Sequence, residues 1–290
     1  MITEPGIYEI SMDEYHSDCA PGASISSSGL RTIELECPLE YWAFSYLNPE
    51  RFEKEPTDAF NMGRAAHCLL LGDEDWNANY VVRPLKIDGK PWNGNRTVCR
   101  EWLAEQSEKG LTVITPDELI HIHGMAKVLE RHPLAALLTT GDVEKSLIWQ
   151  DEETGVWLKA RPDIIPTYDS TVVDYKTTVA RVQPYQLTAD VVKWGYHQQM
   201  ALIEERLEIL ADKRNLNMVL LFQQKKPPYH LAPMEVSPEL LAIGRDQNRR
   251  AIRTFAKCIE TGEWPGYVPL GDIPVIHPPE WLANQMETTS

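Results

Sequence analysis

Residues 156–178 read VWLKARPDIIPTYDSTVVDYKTT. In a β-strand, successive side chains alternate between faces. Asp174 and Lys176 therefore point one way and Tyr175 the other. Val172 shares the Asp174 face and Val173 the Tyr175 face, so a strand over 170–178 has apolar support on both sides. Upstream, SLIWQ (146–150) is a short apolar run, DEETG (151–155) is turn-like, and 156–165 alternates, which together predict a β-hairpin. The third strand follows after a turn at Pro166–Asp169, and pairing of these strands would bring Asp163 beside Asp174. Two adjacent carboxylates repel unless a proton or cation lies between them. A hard divalent ion such as Mg²⁺ (or Mn²⁺) takes oxygen ligands and suits a phosphate substrate. A lysine beside it can orient a water and offset charge in the transition state.

Working outward, residues 1–28 read as an irregular N-terminal arm, with Pro5, Gly6, Pro21 and Gly22. Residues 29–285 read as one domain: a helical part to 140, a sheet core over 141–236, and a C-terminal helix and tail over 237–290. The serine run 24–28 predicts the start of a helix over 29–47, interrupted near Pro38, and a second helix spans 57–71 from Thr57 or Asp58. Residues 83–97, with Arg83, Lys86, Lys90, Trp92 and Arg96, read as a long mobile loop, either a plain insertion or a segment that stacks on a duplex end. Helices are predicted at 98–108, at 116–138 after Thr115-Pro116-Asp117-Glu118, at 184–212 and at 238–261, ended by Gly262. Strands are predicted at 216–225 and 229–236. The fold class is α/β, a mixed central sheet flanked by helices with an N-terminal helical cap.

Composition narrows the function. With 28 basic and 43 acidic side chains the net charge is −15, which argues against nonspecific coating of nucleic acid but not against a nucleic-acid enzyme, whose contacts are local. Apolar residues at 43% fit a globular chain, and no run of about 18 apolar residues would cross a membrane. The start MITEPGIYEI lacks a basic segment followed by an apolar one, and five scattered cysteines form no CxxC pair, so a reduced cytoplasmic protein is expected.

Other features allow two readings. Arg245, Arg249, Arg253 and Lys257 recur every four residues, with Arg250 beside them, as a basic helical stripe. It is a DNA or subunit contact, or a solvated face with glutamate partners. His121 and His123 cannot share a helical face and read as packing or surface residues, and His197 as a neighbour of the site. Trp149, Trp157 and Trp194 read as core.

The arrangement Pro162-Asp163, ten residues, Asp174-Tyr175-Lys176 resembles the PD-(D/E)xK nuclease superfamily. Gly63-Arg64-Ala65-Ala66-His67 resembles the GxxxH helix of its RecB-like and RecE-like branch. Tyr196-His197-Gln198-Gln199 resembles the glutamine helix that follows the catalytic strand, although Ile203 stands where its QxxxY pattern has tyrosine. SISSSGLRTIELECPLEYWAFSYLNPER (24–51) and ETGEWPGY (260–267) look like phage and prophage exodeoxyribonuclease VIII (RecE-like) nuclease domains. The four motif blocks occur in the expected order.

The resemblance implies a Mg²⁺-dependent DNA exonuclease that degrades one strand of linear duplex from the 5′ end in phage-type recombination. It implies a ring-shaped homo-oligomer that hands the exposed strand to an annealing protein. By the same resemblance Asp163 and Asp174 bind metal, with the Tyr175 carbonyl and His67 as further ligands. Lys176 positions the water, Gln199 holds the lysine or the phosphate, and Glu144 is auxiliary. His67 also fits a buried histidine on an apolar helix face; Gly63 one turn earlier favours metal. Arg64, Arg161, Trp92, Arg245, Arg249 and Arg253 are candidate DNA contacts. Single-strand-directed relatives often carry a four-cysteine iron–sulfur cluster; the C-terminal third has only Cys258, so no cluster is expected. The alternatives are such a RecB-like enzyme, or a DNA-binding protein on the same fold that does not cut.

Overall fold

The structure is a computed structural model that describes residues 1–53, 58–72, 76–138, 140–168, 170–268 and 270–279. Thr57, Asp169 and the tail beyond 279 lie outside the described residues. The chain opens with β1 (Gly6–Tyr8), α1 (Met12–His16), β2 (Ser24–Ser26), α2 (Ser27–Leu35) and α3 (Pro38–Ala43). Next come α4 (Asp58–Leu71), α5 (Trp76–Asn79), β3 (Tyr80–Val82), β4 (Lys86–Ile87), β5 (Lys90–Pro91), α6 (Thr97–Glu108), β6 (Thr112–Ile114) and α7 (Pro116–Leu129). The core strands are β7 (Gly141–Val143), β8 (Ser146–Gln150), β9 (Trp157–Ala160), β10 (Ile164–Pro166) and β11 (Thr171–Thr178). Then follow α8 (Pro184–Lys193), α9 (Tyr196–Leu210), β12 (Asn217–Gln224), β13 (Leu231–Glu235) and α10 (Pro238–Thr261).

The strands form the mixed α/β architecture that the hydrophobic pattern predicts. One sheet has the order β1-β8-β9-β2, with β9 and β2 parallel. A second has the order β11-β12-β13, with β11 and β12 parallel and joined through α8 and α9. Alternation sorts the side chains between two cores. Val172, Leu220 and Phe222 pack with α2, α8, α9 and α10. Val173, Tyr175 and Leu221 pack on the opposite face with Ala65, Ala66 and Cys68 of α4 and Ile122 and Met125 of α7. Two-sided burial explains why β11 carries apolar residues on both faces.

Several local expectations are corrected. Residues 1–28 are not an irregular arm: β1 pairs with β8 and β2 with β9, completing both edges of the first sheet. Ser26 caps α2 by accepting from the Gly29 amide, and the chain breaks before Pro38, which cannot continue a helix ladder. The helix expected over 184–212 is two, because Gly195 adopts φ +64 between them. A Cβ there would lie 2.9 Å from Arg31 Cδ, so the close approach of α2 also demands glycine.

Residues 83–97 are not an open loop. They hold the β4–β5 hairpin, turned by Asp88 and Gly89 at positive φ. Arg83 lies over the Trp92 ring at 5.0 Å, Trp92 packs edge-on against Trp102, and Arg96 Nη1 donates to the Ile87 and Pro91 carbonyls. These side chains fasten the hairpin to itself and to α6. Trp149 and Trp157 are buried as expected, whereas Trp194 is 53% exposed at the α8–α9 break. No described helix is long and apolar enough to cross a membrane.

Candidate active site

The hairpin that carries Asp163 is interrupted, and the interruption builds the site. β8 pairs with β9 from Leu147↔Ala160 to Gln150↔Trp157, and β7 pairs with β10 from Gly141↔Pro166 to Val143↔Ile164. Both ladders keep one register, which sets Glu144 opposite Asp163 in the gap. The Glu144 amide donates to the Asp163 carbonyl at 2.9 Å. Glu144 itself sits at φ +51, a left-handed conformation costly for a residue with a Cβ. Like charges directly opposite each other on paired strands destabilise a sheet. Strain and repulsion therefore coincide at this one point of the hairpin.

Helix α4 adds a third donor. His67 stands among Ala65, Ala66 and Cys68, which bury the helix against the second core. Ligand atoms of His67, Glu144 and Asp163 all lie within 4.8 Å of one another. Gly63, one turn earlier, lies against the ends of β11 and β12: a Cβ there would be 3.1 Å from Thr177 Oγ1 and 3.3 Å from Lys225 Nζ. Burial, with the Lys176 charge, pushes the His67 pKa down to about 4, so its imidazole is neutral with a lone pair to donate. Burial and the charge of Asp174 raise the Asp163 pKa well above the carboxylate range. Asp163 Oδ2 accepts from the Tyr175 amide at 2.5 Å.

On the other side of the gap, Asp174 is fully buried and accepts from Gln199 Nε2 at 2.9 Å. Its Oδ2 is buried without a hydrogen-bond donor in proper geometry, although the Lys176 ammonium lies against it as an ion pair. Burial opposes the Lys176 charge, but Asp174 and Asp163 more than offset this and raise its pKa. Lys176 lies over the Tyr196 ring at 5.2 Å. The Tyr175 hydroxyl donates to Gln223 Oε1 inside the second core, so that side chain anchors the strand. Ile203, four residues after Gln199, is fully buried in the first core, where an apolar side chain fits the packing.

The donor set suits a divalent cation: two carboxylates and a neutral imidazole, beside the buried Asp174 carboxylate, whose Oδ2 is taken by the Lys176 ammonium. The sequence reading ranks Asp163 and Asp174 as the principal metal carboxylates and Glu144 as auxiliary. Among the described residues, the structure places Glu144 with Asp163 and His67, while Asp174 falls outside that trio and is held by Gln199 and Lys176. The signal for Glu144 was its place on the hairpin; the register that matters needed the β7–β10 pairing.

The candidate DNA contacts fare differently. Arg161 is buried: Nε donates to Ser146 Oγ, Nη2 donates to the Ile10 carbonyl, and the guanidinium lies over Tyr15, so it locks β1 and α1 onto the hairpin. Arg64 is exposed on α4 and lines a cavity of about 630 Å³ with Glu144 and Arg161. The α10 stripe is not a free basic face. Arg245 pairs with Glu204 at 2.6 Å, Arg249 with Asp151 at 2.9 Å, Arg253 with Glu153 at 2.6 Å, and Arg250 with Glu34. Trp92 is taken up by the hairpin packing already described. His121 bonds Tyr229 and His197 bonds Gln247, away from the trio. The sequence reading gave Tyr196 no role of its own; it heads the glutamine helix three residues before Gln199, a spacing that shares a helical face, and its ring lies under Lys176.

Comparison with known proteins bears on the family and the fold. Residues 26–273 match the family described as a PDDEXK-like domain of unknown function. No curated protein sequence matches the chain. A crystal structure from Eubacterium rectale, described as a candidate exonuclease, superposes with a TM-score of 0.62 at 14% identity, covering 96% of this chain and 98% of that one. At that identity the likeness is one of fold. An alkaline exonuclease from Laribacter hongkongensis overlaps with a TM-score of only 0.26 at 13% identity, over 68% of this chain and 89% of that one, and supports no further comparison. The interrupted hairpin with its acidic pair, the lysine strand and the matched family agree: the chain belongs to the PDDEXK-like family and has the PD-(D/E)xK nuclease fold.

Proposed function

We propose that this protein is a divalent-metal-dependent DNA exonuclease that hydrolyses phosphodiester bonds. The observation that carries the reading is the meeting of Glu144, Asp163 and His67 at the hairpin gap, next to the buried Asp174–Lys176 pair. A Mg²⁺ or Mn²⁺ ion held by these carboxylates and the imidazole would supply Lewis-acid polarisation of the phosphate and a more acidic water.

The chain's own residues do the rest. Lys176 stays protonated, so its ammonium can orient the attacking water and offset charge gathering on the phosphate oxygens. Gln199 holds Asp174 in one orientation by donating to Oδ1, leaving Oδ2 turned to the lysine. Water attacks phosphorus in line, the bond to the 3′ oxygen breaks, and a 5′-phosphate remains on the product. The preference for linear duplex ends, 5′→3′ polarity, a ring-shaped homo-oligomer and delivery to an annealing protein rest on the resemblance to RecE-like domains. An intact Asp163, Asp174 and Lys176 set favours cutting over binding alone.

The test is digestion of linear duplex labelled at either end, with Mg²⁺, Mn²⁺ or EDTA, beside a closed circle and the Asp174→Ala protein. Metal-dependent release of 5′-terminal mononucleotides from the linear duplex alone is the expected result. Absence of digestion of duplex, single strand and circle with both metals overturns it.

A further inference from the structure

Among the described residues, Arg31 has no carboxylate ion-pair partner, in a protein of net charge −15. It stands on α2 and reaches the α8–α9 break, where Nη1 donates to the Trp194 carbonyl at 3.0 Å. Its Nε is buried with no hydrogen-bond partner, and no described carboxylate pairs with its guanidinium. Arg83 and Arg206 share an unpartnered buried Nε, but they lie over Trp92 and Trp149; Arg31 alone of the three lies at a ring that Lys176 also approaches.

Its position bears on the candidate site. The Arg31 guanidinium lies over the Tyr196 ring at 5.6 Å, and the Lys176 ammonium lies over the same ring at 5.2 Å. The Asp174 charge reaches both groups. Gly195 has no Cβ where the Arg31 stem passes, so the backbone is shaped around this side chain. Two cations converging on one aromatic ring repel each other, and an anion near both relieves that repulsion. Nε is enclosed and Nη1 is bound to the Trp194 carbonyl, but the side chain is only half-buried and Nη2 makes no bond among the described residues, so the planar guanidinium keeps an N–H edge that matches a phosphate.

We propose that Arg31 contacts a backbone phosphate of the nucleic-acid strand beside the one attacked at Lys176. This rests on the nuclease reading. Tyr196 serves as the shared platform that holds both cations.

The test is the salt dependence of binding to a short labelled duplex and to its single strand in EDTA, where cleavage is blocked. Wild type, Arg31→Ala and Arg31→Lys are compared, with melting temperatures alongside and digestion in Mg²⁺ and Mn²⁺ run separately. Arg31→Ala should weaken binding about tenfold or more at low salt. It should lower the slope of log K against log salt by about 0.9 on duplex or about 0.7 on single strand, one phosphate contact fewer. Arg31→Lys, which keeps the charge but not the fork, should retain most of that slope. An unchanged slope in Arg31→Ala, with or without lower affinity, makes Arg31 a structural staple and overturns the proposal. Failure of the wild type to bind either strand form in EDTA overturns this proposal alone where Mg²⁺ or Mn²⁺ still supports digestion, and overturns the nuclease reading with it where neither does. Binding with the expected slope change but no digestion leaves the phosphate contact standing and removes the nuclease reading alone.

Discussion

Replacing Asp163 with asparagine should stabilise the metal-free protein and remove its response to Mg²⁺. Asparagine keeps an oxygen for the Tyr175 amide, so the 2.5 Å hydrogen bond can persist while the charge disappears. The ligand atoms of Glu144 and Asp163 lie within 4.8 Å. Two unit charges at that separation repel by about 3.5 kcal/mol at an effective dielectric of about 20. Arg161, 3.9 Å from Glu144, offsets part of this, and protonation of Asp163 relieves more. The gain is therefore bounded by about 3 kcal/mol, or roughly 5 °C in melting temperature for a chain of this size. With Mg²⁺ at about 100 times its dissociation constant, the wild type should gain about 2.7 kcal/mol and the variant little.

The pH dependence has a definite sign. Burial, then the Asp174 charge, raises the Asp163 pKa in the folded state. The folded protein therefore holds this proton more tightly than the unfolded chain does. Its metal-free stability falls as pH rises from about 4, the unfolded carboxylate value, through the raised folded value. The advantage of Asp163→Asn in EDTA should accordingly shrink on acidification. Thermal melts by differential scanning fluorimetry, with EDTA or Mg²⁺ across this pH range, read all three effects. A lower melting temperature for Asp163→Asn in EDTA would rule out the carboxylate repulsion, and an equal Mg²⁺ shift in both proteins would remove Asp163 from the metal ligands.

Three further outcomes are expected. Lys176→Ala and Asp174→Ala should lower the rate of phosphodiester cleavage by at least about 10²–10³-fold while circular dichroism still shows a folded protein; near-wild-type rates would exclude the assigned roles. Glu144→Gly should raise the melting temperature in EDTA by relieving about 1 kcal/mol of left-handed strain at φ +51, and should lose the Mg²⁺ shift; an undiminished shift would remove Glu144 from the metal trio. Arg249→Ala strips a carboxylate that is 2% exposed, Asp151, of its ion pair and should cost about 1–3 kcal/mol in urea unfolding. The salt slope of DNA binding should stay unchanged, because this arginine is held within the chain; a reduced slope would restore the α10 stripe as a nucleic-acid contact.

Much of the sheet core was legible because its signals are local. The alternation in STVVDYKTT places Asp174 and Lys176 together on one face of a strand buried on both sides, and Thr115 and Gly262 bound their helices as capping chemistry requires. Pro38 and the serines before α2 were equally readable. The N-terminal strands were not, since three residues such as Gly6–Tyr8 have no strand pattern of their own and become a strand only beside β8. The basic stripe left two readings open for a related reason. Its periodicity was real, but its carboxylate partners Asp151, Glu153 and Glu204 sit on other elements, invisible to helical spacing.

The sequence alone carries the residue types that are available: an aspartate at a hairpin, an aspartate and a lysine on one face of the next strand, a histidine one turn after a glycine, and a glutamine on the helix that follows. These are matters of residue type and short-range periodicity, which the chain carries at every stage of folding. Only the tertiary structure decided which carboxylates meet. Glu144 and Asp163 face each other because two ladders of one hairpin hold a common register across a gap, and His67 joins them because the second core seats α4 there. Asp174 turns instead to Gln199 and Lys176, and Arg31 reaches Tyr196 only where Gly195 leaves room. Register and close packing are long-range properties, set when separate elements bury their apolar faces against one another.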